Sequence, residues 1–162
     1  NLPYDITPPV IMKLLEDRLP IEAITVMLQK EAAQRICAEV GTRQSGAVTV
    51  SVNYYAEPEM LFGVSAGSFM PAPKVDSAVI RLNVRKEPPV KVESEKLLFN
   101  VIKAAFSQRR KTLANSLSSG LSVEKGKINE LLINSGVETN ARAEKLTLDD
   151  FANITNNLQE MM

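Results

Sequence analysis

The chain has 162 residues, 44% of them hydrophobic, and its nineteen basic and nineteen acidic side chains cancel to zero net charge; it can bury a core as one or two domains but carries no global cationic field for nucleic acid. With no histidine and one cysteine, it lacks the means for serine or cysteine hydrolase triads and conventional zinc sites, and no metal is expected. No apolar run reaches bilayer length and no charged-then-apolar signal segment is present, so the expectation is a cytoplasmic protein with no membrane association.

Asn1-Leu2-Pro3-Tyr4 precedes the first element. Thr7-Pro8-Pro9 reads as an N-cap followed by prolines of a first helical turn, with Val10, Ile11, Leu14 and Leu15 as the apolar stripe of a helix running to about Arg18. The β-branched run Ala23–Leu28 reads as a strand covered on both faces. A helix over Glu31–Val40 follows, placing Ala33, Ile36, Cys37 and Val40 on one face, with Cys37 as a core residue. Helix, buried strand and helix in succession is the rhythm of a parallel α/β sheet.

Gly46–Tyr55 is ambiguous, because Val48, Val50 and Val52 alternate with Thr49 and Ser51 as in a strand. Met60–Val64 and Val75–Val84 are clearer strands, the second with Ala78, Ile80, Leu82 and Val84 on one face. Between them Gly67–Lys74 is a loop stiffened by two prolines. At Glu87-Pro88-Pro89 the texture turns helical, dividing the chain into a domain over residues 1–87 and another over 88–162. In the second, Leu97, Leu98, Val101, Ile102 and Ala105 begin a long helix towards Leu117, with Gly120 as its stop. Residues 123–135 form the next helix, closed by Gly136, and Thr147 with Asp150 caps the last.

The opening tetrapeptide has a chemistry of its own. An adenine exocyclic amine is a poor nucleophile because its lone pair is delocalised into the ring. Two oxygen acceptors aimed at its hydrogens favour the pyramidal form, whose lone pair is free. The Asn1 side-chain oxygen and the Leu2 carbonyl can supply them, Pro3 restricts the backbone presenting them, and Tyr4 offers a face for an unstacked base. Phe69, on its proline-braced loop, can close the other side. No tuned general base is needed, since attack on a sulfonium methyl leaves an ammonium that loses its proton easily. Residues 103–127 carry six basic side chains against Glu124 alone. Lys103, Arg109, Arg110 and Lys111 are therefore candidates for phosphate contact, with Lys74 a weaker one.

Three motifs carry a resemblance: Asn1–Tyr4, Gly67–Val79 (GSFMPAPKVDSAV) and Phe106–Leu117 (FSQRRKTLANSL). In that order, with Arg142-Ala-Glu-Lys-Leu146 before the last helix, they resemble the KsgA family of small-subunit ribosomal RNA adenine dimethyltransferases over essentially the whole chain. The resemblance implies an α/β fold: the carboxyl-terminal part of a Rossmann-like S-adenosylmethionine-dependent methyltransferase sheet, followed by a small all-α domain that docks RNA. It implies methylation of two adjacent adenines near the 3′ end of small-subunit RNA, with Asn1 and Leu2 holding the amine, Pro3 shaping the turn, Tyr4 stacking and Phe69 packing against the base. It places Asn1 beside the methyl donor as well. It also makes the Gly46–Tyr54 segment helical, which decides that ambiguity.

The chain departs from the family pattern in its glycines. None of the seven, at 41, 46, 63, 67, 120, 126 and 136, makes a G-x-G-x-x-G turn. The expectation is an acceptor-side half without the donor-binding half, inactive alone, whose Ala23–Leu28 strand exposes an apolar edge that favours self-association. Two alternatives stand beside small-subunit methylation. One is a large-subunit methyltransferase of the antibiotic-resistance type, and the other a non-catalytic RNA-binding module in ribosome assembly.

Overall fold

Alternation over Ser77–Val84 places Ala78, Ile80 and Leu82 inward, each almost wholly buried, and makes this segment the centre of a three-stranded sheet. The computed structural model describes residues 2–162; Asn1 lies outside them. The strands are β1 (Ala23–Gln29), β2 (Ala56–Val64) and β3 (Ser77–Val84), in spatial order β1-β3-β2. β1 meets β3 from Ala23 opposite Asn83 to Gln29 opposite Ser77, and β2 meets β3 from Ala56 opposite Val84 to Val64 opposite Ser77, with a register shift between Met60 and Phe62.

Both pairings are antiparallel, which corrects the parallel pairing expected from the helix–strand–helix rhythm. That rhythm governs only β1 and β2, which are separated by helices and run in the same direction. β3 returns from β2 through a loop containing one 3₁₀ turn, Ala66–Ser68, and a strand returned without a crossover pairs antiparallel. In β1 only Ile24 and Leu28 are buried, Val26 and Met27 are half-buried and Thr25 is exposed, so the strand is less covered than its composition suggests. Among the described residues its outer edge pairs with no strand.

Helices flank the strands. α1 (Thr7–Glu16) buries Ile11 and Leu15. α2 (Lys30–Ile36) packs on the sheet through Ala33 and Ile36, and ends at Cys37, earlier than the expected Val40. Cys37 is therefore a half-buried capping residue outside the tight core, and burial raises its thiol pKa above the ordinary value. α3 (Ala47–Tyr55) confirms the helical reading of the ambiguous valine run.

The chain divides into two compact units. One holds the sheet with α1 and α2, ending at Pro88; the other joins residues 39–50 to Pro89–Met162, and α3 contributes its first turn to the second unit and the remainder to the first. The expected division near residue 88 did not include the transfer of 39–50. Within that segment Gly41 has a φ of +92°, a left-handed conformation that suits a residue without a side chain.

The second unit is built from α4 (Glu95–Ala105), α5 (Leu113–Leu121), α6 (Lys125–Asn134) and α7 (Leu148–Met161). The single helix expected from Leu97 to Leu117 is thus two. The Ser107 hydroxyl donates to the Ala104 carbonyl, at 2.6 Å, where α4 ends, and the Thr112 side chain caps α5 by accepting from the Asn115 N–H. Local side-chain bonds of this kind compete with helix continuation. Gly120 lies inside α5 and does not stop it; the left-handed residue at the end is Ser122. α6 is followed by Gly136 at φ +74°, and Thr147 and Asp150 form the full capping box of α7.

The reason for Gly120 is close helix approach. A Cβ there would lie 2.6 Å from Ala104 Cβ and 2.8 Å from Ala104 Cα. Overpacking at the upper end of about 1–3 kcal/mol outweighs the roughly 1 kcal/mol that alanine gains in helix propensity. Gly120→Ala is therefore expected to lower the denaturant midpoint while preserving far-UV helicity, and an unchanged midpoint would contradict this contact.

Candidate functional site

The turn that begins with Leu2 is held by its own carbonyls. Pro3 O accepts two donors, the Ile6 N–H at 3.2 Å and the Thr7 hydroxyl at 3.0 Å. Thr7, expected as the N-cap of α1, is instead its first helical residue, with Ile6 at the cap position. Pro8 and Pro9 have no N–H for a capping side chain to accept, so the Thr7 hydroxyl is free to donate backwards. Among the described residues the Leu2 carbonyl receives no hydrogen bond, which leaves it available as an acceptor. Asn1, predicted as the partner acceptor and donor-side contact, lies outside the described residues.

Tyr4 and Phe69 come together although 65 positions apart in the chain. With Leu2, Pro3, Pro71 and Pro73 they line an open groove of about 350 Å³. The Tyr4 hydroxyl is hydrogen-bonded to the Ser77 hydroxyl at the start of β3. The Phe69 loop is tied at both ends by Asp76, whose carboxylate accepts the Ala66 N–H at 2.9 Å and whose carbonyl accepts the Lys30 N–H at 2.9 Å. The Met70–Pro71 peptide is cis, and Met70 is 99% exposed. Ser77 and Asp76, which make these contacts, were not singled out by sequence reasoning, although both lie inside the quoted GSFMPAPKVDSAV motif.

An apolar lining with two aromatic rings suits a flat, uncharged base, and aromatic faces also suit a sulfonium. Among the described residues no charged side chain lines the groove, so they fit a flat uncharged base and the methyl end of S-adenosylmethionine. They do not fit its ribose or its amino-acid end, which need polar partners. A larger cavity of about 570 Å³ opens at the other end of the sheet, around Ile24, Val84 and Tyr55, and contains none of the predicted residues.

The predicted cations are all exposed, but they do not share one helix. Lys103 is in the last turn of α4, whereas Arg109, Arg110 and Lys111 lie on the loop between α4 and α5. A guanidinium N–H of Arg142 donates to the Arg109 carbonyl at 2.6 Å, tying that loop to the Arg142–Leu146 motif. Lys74 is on the Phe69 loop, in the other unit.

The family model described as ribosomal RNA adenine dimethylase matches residues 1–160. Curated relatives named "Ribosomal RNA small subunit methyltransferase A" are 47% identical over the whole chain in a Geobacillus species and 45% identical in Alkaliphilus oremlandii. This chain spans 57% of the length of each. A dimethyladenosine transferase structure from Plasmodium falciparum superposes with a TM-score of 0.78 at 24% identity, over 95% of this chain and 63% of that one, a likeness of fold. The structure of the 23S rRNA methyltransferase ErmE superposes at 0.66 with 25% identity, over 98% of this chain and 63% of that one. Among the described residues no helix is long and apolar enough to cross a membrane. The match over residues 1–160 places this chain in the ribosomal RNA adenine dimethylase family.

Proposed function

We propose that this chain carries the acceptor site and the RNA-docking helices of an enzyme that dimethylates two adjacent adenines near the 3′ end of small-subunit ribosomal RNA. The observation that carries the reading is the groove that Leu2, Tyr4 and Phe69 line together. S-adenosylmethionine supplies the methyl group, as a substituent on its sulfonium. The Leu2 carbonyl and the Asn1 side-chain oxygen accept the two hydrogens of the adenine amine and favour its pyramidal form. Tyr4 and Phe69 hold the unstacked base against their faces.

Labelled methyl transfer tests the reading, with unmethylated small subunits and large subunits as parallel substrates. Dimethyladenosine recovered from small-subunit RNA supports it. Labelling of large-subunit RNA alone would favour the second substrate class, and salt-sensitive binding of subunits by an enzyme supplied with donor but transferring no methyl would favour a non-catalytic assembly role.

Arg109, Arg110 and Lys111 are proposed to contact phosphates, with Lys103 and Lys74 as further contacts. Replacing the three loop residues together by alanine is expected to flatten the slope of log K against log salt by about 2 to 3, since each phosphate contact contributes roughly 0.7–0.9. Filter binding to small subunits over a salt series checks this. An unchanged slope would return the loop to a merely solvated face.

A further inference from the structure

Two wholly buried hydroxyls grip the Leu2–Tyr4 turn from different elements, and the chemistry above uses neither. Thr7 and Ser77 are both 0% exposed. We propose that they are positioning residues for the acceptor adenine: Thr7 fixes the direction of the Leu2 carbonyl and Ser77 fixes the plane of the Tyr4 ring. This rests on the adenine-methylating reading of the groove.

The case for Thr7 is one of backbone freedom. The Leu2 carbonyl lies in the Leu2–Pro3 peptide plane, whose orientation relative to the Pro3 Cα is set by the Pro3 φ, and the pyrrolidine ring fixes that angle. The Pro3 ψ is then the remaining soft angle, and the Thr7 hydroxyl and the Ile6 N–H both hold it by bonding the Pro3 carbonyl at 3.0 and 3.2 Å. With both angles held, the Leu2 carbonyl has one direction relative to α1.

The case for Ser77 is one of ring freedom. Its backbone is fixed on both sides, opposite Gln29 of β1 and Val64 of β2. Its hydroxyl bonds the Tyr4 hydroxyl, so the far end of a half-buried ring is pinned to the centre strand of the sheet. A buried hydroxyl demands a partner, and here the partner is the ring that must lie flat against the base. Group transfer tolerates little misplacement, and an error of about 1 Å can cost on the order of 100-fold.

The test compares variants of the full-length protein in two assays. One is steady-state methyl transfer to small subunits; the other is fluorescence anisotropy of an RNA hairpin bearing 2-aminopurine in place of the target adenine, which needs no donor. Ser77→Ala and Tyr4→Phe are each expected to lower kcat about 10-fold with the KM for RNA within about twofold, and the double variant to be no slower than either, because both remove the same bond. Thr7→Val should behave alike and Thr7→Ser should recover, since serine restores the donor. All variants lacking a bond should show lower probe anisotropy at saturating protein. Should Ser77→Ala melt below the assay temperature, Tyr4→Phe reads the same bond. Wild-type kcat and anisotropy in Ser77→Ala, Tyr4→Phe and Thr7→Val would overturn the proposal. Absence of methyl transfer by the wild type would strike the functional reading alone, and the anisotropy would still decide the positioning.

Discussion

Under the proposed function, Tyr4→Ala in the full-length enzyme is expected to lower kcat/KM for methyl transfer to small-subunit RNA by about 5- to 150-fold, the equivalent of the roughly 1–3 kcal/mol carried by one base–aromatic stack. The loss is expected in single-turnover methylation at saturating donor, with subunit binding little changed, because the cations proposed to dock RNA lie mostly on the α4–α5 loop. Tyr4→Phe keeps the stacking face and loses only the bond to Ser77, so it should fall between wild type and Tyr4→Ala. Equal rates for Tyr4→Ala and wild type would remove the ring from the chemistry and leave the groove as an ordinary apolar cleft.

Phe151→Ala destabilises the helical unit by about 3–5 kcal/mol, a large fraction of the roughly 5–15 kcal/mol that holds a domain together. Phe151 is 0% exposed and stacks on Phe106, with ring centroids 6.0 Å apart and an interplanar angle of 29°. It stands on α7, which packs against both α4 and α6. Phe106 is the capping residue of α4 and opens the loop that carries Arg109, Arg110 and Lys111. The same substitution should therefore weaken the salt-dependent part of RNA binding. Phe151→Leu, nearer in volume, should cost less than about 1.5 kcal/mol. Thermal melting followed by far-UV circular dichroism checks both, and coincident melting curves for wild type and Phe151→Ala would show that the aromatic pair does not support the loop.

The residues of the proposed acceptor site could be named from the sequence because they are local. Asn1, Leu2, Pro3 and Tyr4 are contiguous, and Phe69 sits in a loop marked by its prolines. The capping box at Thr147 and Asp150 was legible for the same reason, since both partners lie within one helical turn. The division of residues 97–117 was not, because continuous apolar spacing conceals a break made by the Ser107 and Thr112 side chains. Gly120 was misread as a stop, since the atoms that require it belong to another helix.

The sequence by itself determined the family, the three strands and the caps of the last helix, all of which follow from short-range patterns of residue type. Tertiary structure alone decided that β3 lies between β1 and β2 and runs against both, because strand direction depends on how a loop returns the chain. It likewise joined Tyr4 to Ser77 and set Phe69 beside Leu2. Those contacts link residues more than sixty positions apart, and no local preference of either segment encodes the other's place.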